Sequence, residues 1–284
     1  MPTCISCGRP LPSPDQPHNL CPECRAAVMQ PAASPPVPRR RSRIAIELVP
    51  VTTTIIGINI VVFVAMTLSG LSVWGPENTG LVNWGANDGL HTLLAQPWRM
   101  LTSNYVHIGL IHISLNMWCL WNLGLLAEQI FEPWTYILVY TFCGLTGSLV
   151  SIAYNPTRVS AGASGAVFGL AGALISALYL GRLPVHPSAL KATLKSLLSF
   201  AGYNLFFGAV VPAIDNSAHI GGLVSGLALG AVLAPHLTSP RKQRSLWNGA
   251  IFVVAAGVFL AGYILARHYA PQLLMRELHR LRAS

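Results

Sequence analysis

Apolar residues dominate this chain in seven blocks, at residues 50–70, 105–127, 134–154, 160–180, 192–211, 217–234 and 246–267. Each approaches the roughly 20 residues that carry a helix across a bilayer. The pattern predicts an all-α, polytopic membrane protein with seven spans. The connection 71–104 is the longest between spans and contains Trp and Gly. A connection of that length is rarely passive and is expected to lie over a site.

Composition agrees with the pattern. Hydrophobic residues make up 52% of the 284 positions and charged residues 10%. Soluble domains carry about 25% charged residues, so this chain has too few charges to cover a water-soluble globule. The formal net charge of +9 does not point to nucleic acid, because the basic residues sit in tails and connections without interleaved aromatics. Positive residues collect on the cytoplasmic side of membrane proteins. Arg39, Arg40, Arg41 and Arg43 precede the first span, which puts the N-terminus in the cytoplasm. Arg182, Lys191, Arg241, Lys242 and Arg244 then fall inside, and only Arg99 and Arg158 fall in outside connections. The tail with Arg276, Arg280 and Arg282 would lie outside, the one tension in this topology. The polar, Cys- and Pro-rich start lacks the apolar core of a signal peptide, so the first block is expected to remain as an anchor.

The cysteines divide into two groups. Cys119 and Cys143 lie inside apolar spans and read as small core hydrophobes. Cys4-x-x-Cys7 and Cys21-x-x-Cys24, separated by thirteen residues, have the spacing of a four-thiolate zinc site. Two disulfides are the alternative, and a reducing cytoplasm disfavours them. Residues 1–25 therefore read as a zinc knuckle whose folding energy comes largely from the metal. Its expected role is docking of a cytoplasmic partner or regulation. Residues 26–47, rich in Pro and Arg, read as a linker.

Polar side chains inside spans are costly, and those that persist tend to face the bundle interior and serve function. Here they are His107, His112 and Asn116 in the second span, Ser164 in the fourth and His219 in the sixth. The topology puts His112, Asn116, Ser164 and His219 at a similar depth on one side. His112 and Asn116 are four apart, on one helix face. His219, Gly222 and Gly226 also share a face, and Gly162, Gly165 and Gly169 surround Ser164. Glycines let membrane helices approach closely, so packing the sixth span on the fourth would bring the imidazole toward the hydroxyl. Taken singly, each residue has a blander reading. A Ser among glycines is usually a packing residue, a His at a helix end a structural hydrogen-bonder, and His112 with Asn116 a helix cross-link or metal site. The coincidence of level favours one site. Asp215, the only acid near His219, reads as a helix N-cap, leaving a Ser–His dyad.

These residues resemble the rhomboid family of intramembrane serine proteases over about residues 51–233. The resemblance rests on Trp98-Arg99, His107, His112-x-x-x-Asn116, Gly162-Ala163-Ser164-Gly165-x-x-Phe168-Gly169 and Ala218-His219-x-x-Gly222-x-x-x-Gly226. A Gly-x-Ser-Gly run alone is weak evidence; its companions in order make the pattern specific. The resemblance implies a six-helix bundle (residues 48–236) followed by one extra transmembrane helix and a basic tail (237–284). It implies Ser164 as nucleophile, His219 as base, and an oxyanion hole from His112, Asn116 and the Ser164 backbone N–H. Phe168 would pack on the imidazole where a Tyr is common. Trp98 and Arg99 would stabilise the first loop, and Glu128 would support structure. No cofactor is implied for catalysis. The implied substrates are transmembrane proteins cut in or near a span, in the plasma membrane of a bacterium, with the lipid bilayer and no nucleic acid as surroundings. A catalytically inactive, membrane-protein-binding relative is the alternative, against which the presence of both Ser164 and His219 argues. A transporter would be expected to show repeats, and none is visible.

Overall fold

A computed structural model describes residues 3–11, 20–29, 49–212 and 214–283. The chain divides into two compact units, Met1–Leu48 and Val49–Ser284. Among the described residues every regular element is helical, apart from two single β-bridges, Thr3 with Pro10 and Asn87 with Ser160. The expected linker and its basic run at 39–43 fall almost entirely outside the described residues.

In the first unit the chain turns tightly after Cys4. Gly8 N–H donates to the Cys4 carbonyl at 2.9 Å, and Gly8 has φ +74°, a conformation that a side chain disfavours. Helix α1 (Pro22–Met29) begins just after Cys21 and carries Cys24 in its first turn. Cys4, Leu11 and Cys21 form a small buried cluster, and Arg9 pairs with Glu23 across the two turns.

The second unit begins with α2 (Pro50–Leu68), whose proline occupies the first turn, where its missing N–H is not needed. Glu128 accepts the Thr52 N–H at 2.7 Å and so caps the start of α2 from another helix. Three short helices follow in the long connection: α3 (Asn78–Asn83), α4 (Gly89–Leu94) and α5 (Arg99–Thr102). Helices α6 (Leu110–Ile130), α7 (Pro133–Tyr154), α8 (Ser164–Leu180), α9 (Pro187–Val210), α10 (Asn216–Leu233) and α11 (Arg241–Ala283) complete the bundle.

Helix α8 is the centre. Most of its residues are buried, and it packs against α6, α7, α9 and α10, most extensively against α10. The α8–α10 seam is made by small residues. A Cβ at Gly222 would collide with the Gly165 carbonyl, one at Gly226 with the Gly169 carbonyl, and one at Gly230 with the Ala173 carbonyl. The contacts advance four residues at a time in the same direction on both helices, so α8 and α10 run parallel. Large apolar side chains such as Ile58, Val61, Trp118, Val224 and Val253 point outward, as expected where the solvent is lipid.

Each of the seven apolar blocks forms one helix, namely α2, α6, α7, α8, α9, α10 and α11, with shifted bounds. Among the described residues five helices are long and apolar enough to cross a membrane, namely α2, α6, α7, α10 with its short continuation, and the first 32 residues of α11. The fourth block forms α8, only 17 residues, about 25 Å and short of the ~30 Å hydrocarbon core. The fifth forms α9, which extends back to Pro187 and so includes Lys191 as well as Lys195. Two starts also move inward, from 105 to Leu110 and from 160 to Ser164. Gly109 (φ +89°) and Gly162 (φ +128°) interrupt the chain just before each helix, so His107 lies in a loop rather than in the second span.

Candidate active site

Three helices begin at one end of the bundle, and each brings a polar side chain within its first two turns: α6 with His112 and Asn116, α8 with Ser164, and α10 with His219. All four line one cavity of about 370 Å³, together with Gly162, Gly165 and Phe168. Residues far apart in the chain thus meet at one cavity.

Ser164 is the first residue of α8, so its N–H belongs to the set that a helix leaves without internal partners. The backbone leading to it is clamped twice. Gly162 N–H donates to the Ser103 carbonyl at 2.8 Å, and Ala163 N–H donates to His107 Nε2 at 3.4 Å. The His107 ring in turn lies 3.2 Å from the Tyr105 carbonyl through Nδ1. With Nε2 accepting, the proton belongs on Nδ1, which donates to that carbonyl. His107 is thus a strut behind the serine, and it does not line the cavity.

His112 has the opposite tautomer. Its Nδ1 accepts the Ile108 N–H at 3.3 Å, which leaves the proton of the neutral ring on Nε2. That edge lies against Gly162, where an added Cβ would sit 2.5 Å from Cε1 and 2.9 Å from Nε2. The donor therefore lies beside the turn that presents Ser164. Asn116 is buried, and its Nδ2 donates back to the His112 carbonyl at 2.9 Å, which uses one of its two amide hydrogens.

His219 is buried and stacks on Phe168, with ring centroids 4.3 Å apart and planes 16° apart. Phe168 also meets Phe200 of α9 at 5.6 Å. No hydrogen bond joins the Ser164 hydroxyl to the His219 ring among the described residues, and His219 Nδ1 is buried without a partner. Asp215 does not fill that role. It caps α10, accepting Ser151 Oγ at 2.5 Å, Ser217 Oγ at 2.5 Å and the Ala218 N–H at 3.3 Å. Burial by itself would raise its carboxyl. Hydrogen bonds from Ser151, Ser160, Ser217 and Ala218 outweigh that and hold it below the ordinary carboxylate value.

Trp98 and Arg99 lie away from the cavity. Arg99 is buried and donates to the carbonyls of Val82 and Ala86 and to Gln96 Oε1, with its guanidinium 4.8 Å from the Trp98 ring centroid. It folds the long connection, which reaches the cavity through Ser103 and Asn104 and is tied to the α7–α8 turn by the Asn87–Ser160 bridge. Gly222 and Gly226 serve the helix seam rather than the cavity. Sequence reasoning missed Phe200 and Asn204 of α9, which line the opposite wall. Asn204 carried the needed signal, an amide inside an apolar block.

The four N-terminal cysteines form a separate candidate metal centre. Their sulfurs all lie within 4.8 Å of one another, none is disulfide-bonded, and Cys7 and Cys21 are 3.7 Å apart. Tetrahedral thiolates at about 2.3 Å from a zinc ion would be separated by about 3.8 Å, so the donor set fits a metal of that kind. The Cys21 N–H, foremost among several donors, holds the Cys4 thiol down to about 6, whereas at Cys24 a lowering hydrogen bond with Ser6 is outweighed by those with Cys21, Cys7 and Cys4, which raise that thiol.

The family model of the rhomboid domain matches residues 94–236, which contain every cavity residue named above. The chain is 33% identical over 228 residues to rhomboid protease GluP of Bacillus subtilis (79% of this chain, 43% of that protein). It is 38% identical over 203 residues to RHOMBOID-like protein 6, mitochondrial, of Arabidopsis thaliana (66% and 65%), and 35% identical over 151 residues to Inactive RHOMBOID-like protein 8 of the same plant (52% and 40%). The chain thus spans less than two thirds of the length of each of these relatives. With its all-helical architecture, five apolar helices of membrane-crossing length and a match over half its length, this chain is a membrane protein that belongs to the rhomboid family.

Proposed function

We propose that this chain is an intramembrane serine endopeptidase that cuts other membrane proteins in or near a transmembrane segment. Ser164 is the nucleophile and His219 its base. The observation that carries this reading is the single cavity lined by Ser164, His219, His112 and Asn116, with the imidazole held flat against Phe168.

The Ser164 hydroxyl attacks the scissile carbonyl while His219 takes its proton, a transfer the hydroxyl needs because it is a weak nucleophile by itself. The carbonyl oxygen gains charge and is received by the Ser164 N–H, the His112 Nε2–H and the free Asn116 amide hydrogen. Pre-aimed donors of this kind are worth about 2.7–4 kcal/mol each in a soluble serine protease. The C–N bond then breaks, His219 returns the proton to the leaving amine, and water entering the cavity releases the acyl group by the reverse sequence. The serine–imidazole hydrogen bond forms as substrate enters, as such bonds are often loose without it. The unpartnered His219 Nδ1 and the fully engaged Asp215 support a dyad without a third acid. The presence of both dyad residues favours this reading over a catalytically inactive binder.

The N-terminal cysteines are the ligands of a structural zinc in a knuckle at residues 1–25, joined through 26–47 to the protease core (48–236) and an extra helix with a basic tail (237–284). The basic residues before the first span support a cytoplasmic N-terminus; the setting proposed is a bacterial plasma membrane, with docking of a cytoplasmic partner as the role of the knuckle.

The test is cleavage of a single-span substrate by the full chain reconstituted in vesicles. Wild type cuts, whereas Ser164→Ala and His219→Ala each abolish cutting. Cleavage that survives Ser164→Ala overturns the mechanism, and a wild type that binds the substrate without cutting it favours the inactive alternative.

A further inference from the structure

A second cavity, of about 760 Å³, opens where the end of α8 meets the first turns of α9. Its lining combines an apolar stripe, Leu190, Leu194 and Leu198, with the cations Lys191 and Lys195, and Tyr179 forms the facing wall. Residues four apart share a helix face, so the leucines and the lysines run as two adjacent stripes along α9. Neither lysine takes part in an ion pair among the described residues. No Asp or Glu occurs from residue 133 to 214, so the segments around the groove offer no counter-charge of their own. The level is also informative. Helix α9 ends at Val210, so it rises about 24 Å from Lys195 and about 30 Å from Lys191. That brings the ammonium groups to the boundary where hydrocarbon gives way to headgroups, with their stems along apolar surface.

We infer that this groove binds one anionic phospholipid, its phosphodiester between Lys191 and Lys195 and an acyl chain along Leu190, Leu194 and Leu198 against Tyr179. A zwitterionic lipid offers the same chain but no net charge to the two lysines, so the site selects by headgroup. The groove between α7, α10 and α11, about 660 Å³ and lined by residues such as Phe142, Leu149, Val254 and Phe259 with no charged group, makes no such selection. This inference does not depend on the catalytic reading.

The test uses the full chain in phosphatidylcholine vesicles containing a few mole per cent of either phosphatidylglycerol or phosphatidylcholine with a photoreactive acyl chain, followed by peptide mapping. Residues 179–199 should be labelled roughly thirtyfold more by the phosphatidylglycerol probe, given about 1 kcal/mol of attraction for each of the two lysines near a charged headgroup. The α7–α11 groove should be labelled equally by both. The ratio at 179–199 should collapse in Lys191→Gln/Lys195→Gln and persist in Lys191→Arg/Lys195→Arg. Equal labelling by the two lipids, or a ratio unchanged by the glutamine substitutions, overturns the inference. So does loss of labelling to excess soluble glycerol phosphate, which would make the lysines a site for free phosphate.

Discussion

The imidazole of His219 lies nearly parallel to the Phe168 ring at 4.3 Å, so a residue one helical turn after Ser164 sets the plane of that imidazole. Aromatic pairs of this kind contribute about 0.5–1.5 kcal/mol beyond their buried area. Phe168→Leu keeps most of the volume and removes the stack, and kcat/KM for a single-span substrate should fall by roughly 2- to 12-fold. Phe168→Tyr should stay close to wild type.

Gly162 is the tightest point of the site. Its φ of +128° and the His112 ring beside it leave no room for a Cβ. Gly162→Ala should displace His112 and the Ser164 turn together, lowering kcat about 10²-fold or more, as expected for loss of an oxyanion donor. Gly57, whose added Cβ would meet nothing within 4 Å, provides the control. Gly57→Ala should leave cleavage unchanged and the thermal midpoint equal or slightly higher.

The α8–α10 seam makes a separate prediction about stability. At Gly222 and Gly226 an added methyl meets backbone carbonyls of α8, which cannot swing aside. Gly222→Ala should destabilise the bundle by about 1–3 kcal/mol, the usual range for overpacking, read as a lowered unfolding midpoint in detergent.

Asp215 links stability to pH. Its carboxyl is held below the ordinary value in the folded protein, against about 3.9 for an unperturbed Asp. Its contribution is therefore complete above about pH 4 and is lost as pH falls through the lower folded value. Asp215→Asn keeps an N-cap acceptor and removes the titration, so the acid-side loss of stability should flatten. Asp215→Ala should cost about 1 kcal/mol or more at neutral pH. Unfolding midpoints across the acid range distinguish the three proteins.

The cysteine cluster should hold one zinc per chain. Cys4→Ser with Cys21→Ser should abolish the bound metal measured by elemental analysis, while cleavage by the membrane unit in vesicles persists. Acid should also release the metal, because protons compete for the thiolates.

Much of this could be read from residue order because the bilayer is a severe solvent. Apolar blocks announce helices, and His112, Asn116, Ser164 and His219 stand out because each is costly there. The spacing of two Cys-x-x-Cys pairs made the N-terminal cluster equally plain. The helix bounds were less legible. The fourth and fifth blocks look like the rest in sequence, yet α8 is enclosed and short, and α9 begins early enough to carry Lys191 as well as Lys195.

Residue chemistry and spacing thus determined the all-helical membrane class, the cysteine cluster and the identity of the cavity's principal polar residues. Only the folded chain decided how those residues serve one another. Which nitrogen of His107 and His112 holds a proton depends on the Ala163 and Ile108 N–H groups. The engagement of Asp215 depends on Ser151 of another helix. Where α9 places Asn204 and Phe200 depends on packing across the bundle. Hydrogen bonds and packing between distant segments are set by three-dimensional approach, which neither spacing nor composition encodes locally.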